Sequence, residues 1–577
     1  MKKVSIYTIA LAVFLILYSL WIISQMNTIQ LSYDESRHAA GGMLWYDYIK
    51  TIVSDGYVHF DDFVNQYQKM GYNAGWFANQ DPAVDGLIRT PFYFLFGPTF
   101  FAIRVMALVC ALISAVLLYL IGCYVTKKKI IALSAAIIML MSTLFYMYTT
   151  IQALAPIPII MMTLFWYYFT FIRISKKNYT LKLFKLGEVT FTVNFSWNIL
   201  MGGLFLTLAT LIQYAAALFI DIFFVMYILY LIIASYLKNR KISVRLISES
   251  GALQIIFIAF LQNLTFLLIS YKWLKYNLFE MHWLERIRYY TSYASSCAHD
   301  LNYLSQKYPW IAFGTPFSNF TYMIHGYLQR TLFFTIFFAY TIYCLFKKKI
   351  EDEETKKHFI IITLFFLAIY LYFSFNMSNH QIRYIAHAFP FVILASAYGL
   401  YQLVFSKLKQ NQVWIYGGII LLFVGGLFIV DGWMYDKTFQ EFGSQNDELL
   451  DYLRSKPPAK VLLHAPGTGS SLPPQGDWYY NPDYVMFTFM RAKEGYNPFV
   501  FKQQGHLFEY QRDSLEAVDY AAKNLVQQLK TIPLNIPVYM IVYRYHEPGF
   551  YSAFGKHFLE NGFSAQNLTY WTIYYRE

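Results

Sequence analysis

Apolar runs, each near the roughly 20 residues a helix needs to cross a bilayer core, recur along this chain between shorter polar segments. They predict about eleven spanning helices, at approximately 5–25, 99–124, 130–148, 152–172, 194–212, 214–236, 252–271, 331–346, 358–375, 384–406 and 413–432. The first run follows Lys2 and Lys3 but ends in Ile22-Ile23-Ser24-Gln25, which offers no small-x-small cleavage site, so it is expected to stay as an anchor. Elsewhere the periodicity changes. Phe60, Phe63, Val64 and Tyr67 recur at i, i+3, i+4 and i+7, which fits a helix lying in the membrane interface or the core helix of a small domain. Beyond residue 432, Asp447–Arg454 and Ser514–Leu529 read as helices and Lys460–His464 and Val538–Tyr543 as strands. That alternation suggests a small α/β domain with parallel pairing.

Composition agrees with the run count. Of 577 residues, 57% are hydrophobic and only 14% charged, with mean hydropathy +0.36, where a soluble protein carries about 25% charged residues. An ordinary soluble enzyme and a disordered chain are both excluded, and the apolar excess is expected to face lipid. The net charge of +12 does not imply nucleic acid, because the lysines and arginines fall in short clusters between apolar runs. With the N-terminus inside, every inner segment is basic: Lys2 and Lys3, Lys127 to Lys129, Arg173 to Lys185, Lys238 to Arg245, Lys347 to Lys357, and Lys407 with Lys409. The first outer loop, 26–98, is acidic on balance. These readings give a polytopic plasma-membrane protein with a cytoplasmic N-terminus. Its transmembrane domain would be 1–432, with large outer loops at 26–98 and 272–330, and 433–577 would be a soluble extracytoplasmic domain. Cys110, Cys123, Cys297 and Cys344 have neither disulfide-framework nor zinc spacing.

Candidate chemistry gathers at the outer face. Tyr33-Asp34-Glu35-Ser36-Arg37-His38 follows the first span. A covered carboxylate there is a candidate general base, and the same residues also suit the start of a helix, with Ser32 or Asp34 as cap. Arg89 stands at the outer boundary and Arg104 about two turns inside the second span, a depth at which an arginine needs a partner or a watery cavity. Arg383 and Tyr384 lie at the mouth of the tenth span. Arginines near helix ends often snorkel to lipid headgroups instead. Asp221, about two turns into the sixth span, is a further intramembrane charge.

Taken together, Asp34-Glu35-x-Arg37-x-Ala39, the stretch Arg89-Thr90-Pro91-Phe92-Tyr93 running to Gly97, the embedded Arg104, and Arg383-Tyr384 followed by Pro390 resemble the GT-C glycosyltransferases. Within these, the resemblance is to the protein O-mannosyltransferase and aminoarabinose transferase group. It implies an all-α polytopic fold with interfacial helices in the first outer loop and the α/β domain at the C-terminus. It also implies an enzyme that transfers one sugar from a polyprenyl-phosphate donor to an extracytoplasmic protein, lipid or cell-envelope glycan. Asp34 would be the catalytic base, with Glu35 orienting the acceptor or Arg37. Arg37, Arg89, Arg104 and Arg383 would hold the donor phosphate, with Tyr384, Asp221 and His38 as accessories. No metal is required by this scheme, although His38, His299 and His380 are outer-face candidates should a divalent ion take part.

The chain departs from that pattern in two places. The outer turn between the third and fourth spans, Thr149 to Pro156, has no acid, and Gln213-Tyr214 stands where relatives often have a lysine after the fifth span. Asp221 is the candidate replacement for the missing acid. Two alternatives remain open. A transporter or lipid flippase would be expected to show paired repeats, and none stands out. An oligosaccharyltransferase would carry Trp-Trp-Asp-Tyr-Gly, of which Gly476-Asp477-Trp478-Tyr479-Tyr480 is a loose echo.

Overall fold

In the computed structural model the described residues are 5–26, 33–69, 83–97, 100–142, 156–173, 179–186, 189–195, 197–212, 215–239, 336–376, 387–405, 461–464, 537–543, 555–569 and 571–576, with scattered single positions between them. Two compact units emerge: Met1–Ile22, Ala107–Thr149 and Ala155–Trp433 form one, and Ile23–Met106, Thr150–Leu154 and Met434–Glu577 the other.

Helix α1 is Ile6–Gln25, α2 Tyr33–Asp55, α3 Phe60–Lys69, α4 Ala83–Phe96, α5 Phe100–Thr126 and α6 Lys129–Met141. After these come α7 Pro156–Tyr167, α8 Trp197–Ile212, α9 Ala215–Asn239, α10 Ile336–Phe346, α11 Glu353–Asn376 and α12 Phe389–Leu400. Helices occur in both units, α2, α3 and α4 in the second; those of the first are largely apolar, and many of their hydroxyls bond carbonyls one turn back. Ser114, Thr126, Thr163 and Ser396 each donate to the carbonyl four residues back, at 2.7–2.8 Å, so no polar group on these side chains is left facing hydrocarbon. Among the described residues, Ile6–Ser24 and Phe101–Thr126 are long and apolar enough to cross a bilayer alone, and six further apolar helices are shorter. On α1 the exposed positions Ile6, Ile9, Val13, Ile16, Leu17 and Leu20 form one stripe, opposite buried Leu11, Tyr18 and Ile22. An uncovered apolar stripe of this length is a lipid-facing surface.

Trp166 is the centre of the packing in this unit. Its ring is edge-on to Phe171, Phe223 and Phe224 at 5.5–6.2 Å and tilted against Phe365 at 5.7 Å. These contacts tie α7 to α9 and α11 with the geometry that aromatic quadrupoles favour. At the basic end, the Asp352 carboxylate accepts from the Thr355 hydroxyl at 2.6 Å and the Thr355 amide at 2.8 Å, capping α11. The same hydroxyl lies 2.7 Å from the Val125 carbonyl at the end of α5. Gly399 of α12 faces α10 with no space for a side chain, since an added Cβ would lie 2.6 Å from the Thr341 hydroxyl and overlap the Phe337 carbonyl. Thr341 also donates to the Ala395 carbonyl at 2.7 Å.

The structure corrects the sequence reading at the third inner segment. It is not a plain basic connection: Tyr179–Leu186 (β1) and Val189–Phe195 (β2) form an antiparallel hairpin with an irregularity between Lys182 and Phe184. The fifth span consequently starts at Trp197 rather than 194. Two helices also end in π-helical turns, Tyr168–Ile172 and Tyr401–Phe405. The seventh and eleventh expected runs lie largely outside the described residues.

In the second unit, the stripe on α3 is spent on protein. Phe63 and Val64 are buried against Leu44 of α2, with Tyr48, Val58 and Phe60 around them, and Phe60 stacks on Trp45 at 4.8 Å. The tail contains a four-stranded sheet in the order β3-β4-β6-β5: Val461–His464, Val538–Tyr543, Trp571–Arg576 and Ser564–Asn567. The β3–β4 pair is parallel, as the alternating pattern implied, and the last two strands add antiparallel. Glu448 clamps the turn between them, accepting from the Thr569 amide at 2.9 Å.

Two outcomes follow from these contacts. Gly399→Ala is expected to destabilise the protein by about 1–3 kcal/mol through overpacking, whereas Gly418→Ala, which meets nothing within 4 Å, is expected to be silent; thermal melts in detergent compare them. The Thr355 hydroxyl and then the Thr355 amide hold the Asp352 carboxyl below its ordinary range. Its stabilising effect is therefore present above that range and lost as pH falls through the lower folded value. The melting-temperature difference between the native chain and Asp352→Ala should shrink to nothing at strongly acid pH.

Candidate functional site

The acid pair and the first interfacial arginine sit on two helices packed against each other. Helix α2 begins at Tyr33, so Asp34 and Glu35 occupy its first turn, and Arg37 and His38 follow on the same helix. Helix α4 carries Arg89, which is fully buried at 0% exposure despite its charge. Close approach is possible because small residues face each other. A Cβ on Gly42 would lie 2.9 Å from the Arg89 Cβ and 3.0 Å from the Tyr93 ring. A Cβ on Gly86 would lie 2.6 Å from Trp45 and 2.8 Å from the Gly41 carbonyl. Backbones can meet this closely only where Cβ is missing. Thr90, also buried, donates to the Gly86 carbonyl at 3.0 Å and reaches the Gly42 carbonyl at 3.5 Å.

The pairs Gly42 with Arg89 and Tyr46 with Tyr93, whose rings are 6.2 Å apart, advance together along both helices. Asp34 is eight residues before Gly42, about 12 Å along the axis.

Arg104 is fixed differently. It is the fifth residue of α5, which starts at Phe100, so it lies a little over one turn in rather than about two. It is buried at 1% exposure and donates from an Nη to the Met26 carbonyl just past α1. The arginine thereby finds the partner its depth required and latches the start of α5 to the end of α1. Asp221 is on α9, seven residues in. Arg383, Tyr384, His299 and His380 lie outside the described residues. No group of three or more metal-ligating side chains is found among the described residues.

No protein-family model and no curated protein sequence matches the chain. Among solved structures, the aminoarabinose transferase ArnT from Cupriavidus metallidurans bound to undecaprenyl phosphate superposes with TM-score 0.53, covering 98% of both chains at 11% identity. Its apo state gives TM-score 0.53, with 99% of each chain covered at 12% identity. The chain has the ArnT fold. That fold is a largely helical one with an α/β region at the C-terminus, in the order that the sequence pattern suggested.

Sequence reasoning missed Gly42, Gly86 and Thr90, which bring the two helices together. Their signal was present as Gly41-Gly42 in one helix and Gly86 in the other, but glycine within a helix carries no label for which neighbour it meets. Adjacent glycines give the test. Gly41→Ala, with nothing within 4 Å of the added carbon, is expected to be tolerated. Gly42→Ala should lower thermal stability by about 1–3 kcal/mol and increase proteolysis within the first outer loop.

Proposed function

We propose that this protein is an inverting glycosyltransferase that moves one sugar from a polyprenyl-phosphate donor to an extracytoplasmic acceptor, a protein, lipid or cell-envelope glycan. The observation that carries the reading is the packing of α2, which begins with Asp34 and Glu35, against the helix holding the buried Arg89. The full-length likeness to ArnT supports it, because one of those structures is bound to undecaprenyl phosphate. A donor of that kind places a phosphate at the membrane boundary and its chain in lipid, so its site needs guanidinium groups beside an apolar surface.

In this mechanism Arg89, with Arg37, Arg104 and Arg383 as further candidates, neutralises the donor phosphate. The Asp34 carboxylate accepts the proton of the acceptor hydroxyl or amine as that atom attacks C1 of the sugar. The C1–O bond to phosphate breaks, and polyprenyl phosphate leaves with the bonding electrons. Attack from the face opposite the departing phosphate inverts C1. A neutralised phosphate is a good leaving group, so no strong general acid is needed. Glu35 orients the acceptor or Arg37, and Tyr384, Asp221 and His38 are accessory candidates. The reaction calls for no metal, and the lipid-linked sugar is a substrate rather than a cofactor.

The test uses the reconstituted full chain and a purified polyprenyl-phosphate sugar. Asp34→Asn should reduce transfer by about 10²–10⁴-fold, the usual share of a general base, with donor binding retained. Arg89→Gln should weaken donor binding. Undiminished transfer by Asp34→Asn would overturn the assignment of the base. Translocation of labelled lipid across vesicles without any glycosylated product would favour a flippase instead.

A further inference from the structure

The basic end of the helical unit carries a second set of cations that the proposed chemistry does not use. Helices α5 and α6 are joined by Lys127 and Lys128, with Lys129 opening α6, and α10 runs out into Lys347, Lys348 and Lys349. All six are exposed. Both turns place a lysine where a glycine is usual: Lys127 has φ 56° and Lys348 φ 52°. At the second turn the Lys349 amide donates to the Cys344 carbonyl at 2.9 Å and Lys347 to Tyr343 at 2.9 Å, a closed helix-ending motif with Lys348 in the left-handed position.

Three of these ammonium groups are held over aromatic rings: Lys127 over Tyr124 at 4.3 Å, Lys128 over Tyr401 at 4.9 Å and Lys349 over Tyr343 at 5.0 Å. Of the carboxylates at the same end, Asp352 feels the charge of Lys127 but makes its hydrogen bonds to Thr355. Asp352 caps α11, Glu353 pairs with Lys356 at 3.2 Å, and Glu354 lies 3.8 Å from His358. Among the described residues none lies within ion-pair distance of the six loop lysines.

Each lysine turn terminates an uncovered apolar stripe. On α5, Val116, Leu120 and Tyr124 are exposed at i, i+4 and i+8 and lead to Lys127. On α10, Ile336, Ala339, Tyr343 and Phe346 are exposed at i, i+3, i+7 and i+10 and lead to Lys347. An apolar stripe ending in clustered ammonium groups matches a molecule with acyl chains and an anionic head. The tyrosines at the junction keep the cations at headgroup depth, as amphipathic rings do at membrane boundaries.

We infer that the turns Lys127–Lys129 and Lys347–Lys349 seat anionic phospholipid headgroups whose acyl chains lie along the exposed stripes of α5 and α10. This is the inner leaflet in the expected topology. The proposed transfer chemistry uses none of these lysines. Their occupant is structural lipid, whose binding ties the ends of α5 and α10 to one membrane surface.

The experiment uses the full chain in nanodiscs of phosphatidylcholine with or without phosphatidylglycerol, and counts retained lipid by native mass spectrometry. The native chain should retain phosphatidylglycerol over phosphatidylcholine, and each lysine removed should weaken that preference by roughly fivefold. The variant Lys127→Gln/Lys128→Gln/Lys347→Gln/Lys349→Gln should bind both lipids alike, while its melting temperature in pure phosphatidylcholine matches the native value. The corresponding four Lys→Arg substitutions should keep the preference. Equal phosphatidylglycerol retention by the native and glutamine chains would overturn the inference. So would displacement of the lipid by millimolar inorganic phosphate, which would mark a site for a free anion.

Discussion

Helices that meet inside a bilayer gain no hydrophobic advantage from doing so, because the lipid they displace is as apolar as they are. What holds them is close contact, and close contact requires small residues. Between α2 and α4 the same need for close contact falls on Gly42 and Gly86, where a single methyl group would come within 3 Å of the facing helix. Because the two backbones approach there, Arg89 is enclosed without being displaced, and Thr90 can donate to the Gly86 carbonyl at 3.0 Å. The placement of a charged side chain beside the helix that starts at Asp34 is thus a consequence of what two glycines lack.

The same economy of polar groups governs the spans. Every hydroxyl placed in an apolar helix must find an acceptor nearby, and the carbonyl one turn back is the cheapest, as with Ser114 and Thr163. Where a polar side chain bonds outside its own helix it joins elements, as Thr341 does to α12 and Thr355 does to the end of α5. Arg104 is the charged version of this arrangement. Its link to the Met26 carbonyl gives it a fastening role that does not require a ligand, whether or not it also meets one.

Much of this was legible in the residues. A bilayer imposes a length on every crossing, so run length alone located α1 and α5 to α12, and basic clusters marked turns between them; α2 and α4 left no such run. The parallel pairing of Val461–His464 with Val538–Tyr543 followed from alternating helix and strand patterns. The hairpin at 179–195 did not emerge, because its lysines drew a reading of charge rather than of period. Yet Thr180, Lys182, Thr190 and Thr192 alternate with apolar neighbours as a strand should. The stripe on α3 was compatible with lipid or with protein, and only the partner Leu44 decides it. Candidate residues were visible as types at a boundary. Which helix each would meet was not, since contacts between segments 40 to 50 positions apart leave no periodic trace.

An acid on the first turn of a helix appears at first to argue against a base, since the positive end of the dipole stabilises its ionised form and so weakens its hold on a proton. The proposed reaction asks for little basicity, however. As the bond from C1 to phosphate stretches, C1 gains positive character and the attacking hydroxyl becomes more acidic, so the proton is lost late and to a weak acceptor. What the base must do is be ionised, be close and accept from one direction. At a helix start the dipole favours negative charge in general, which suits the first of these conditions. The capping and catalytic readings of Asp34 rest on the same electrostatics, and they diverge only in whether the remaining oxygen lone pairs face a substrate.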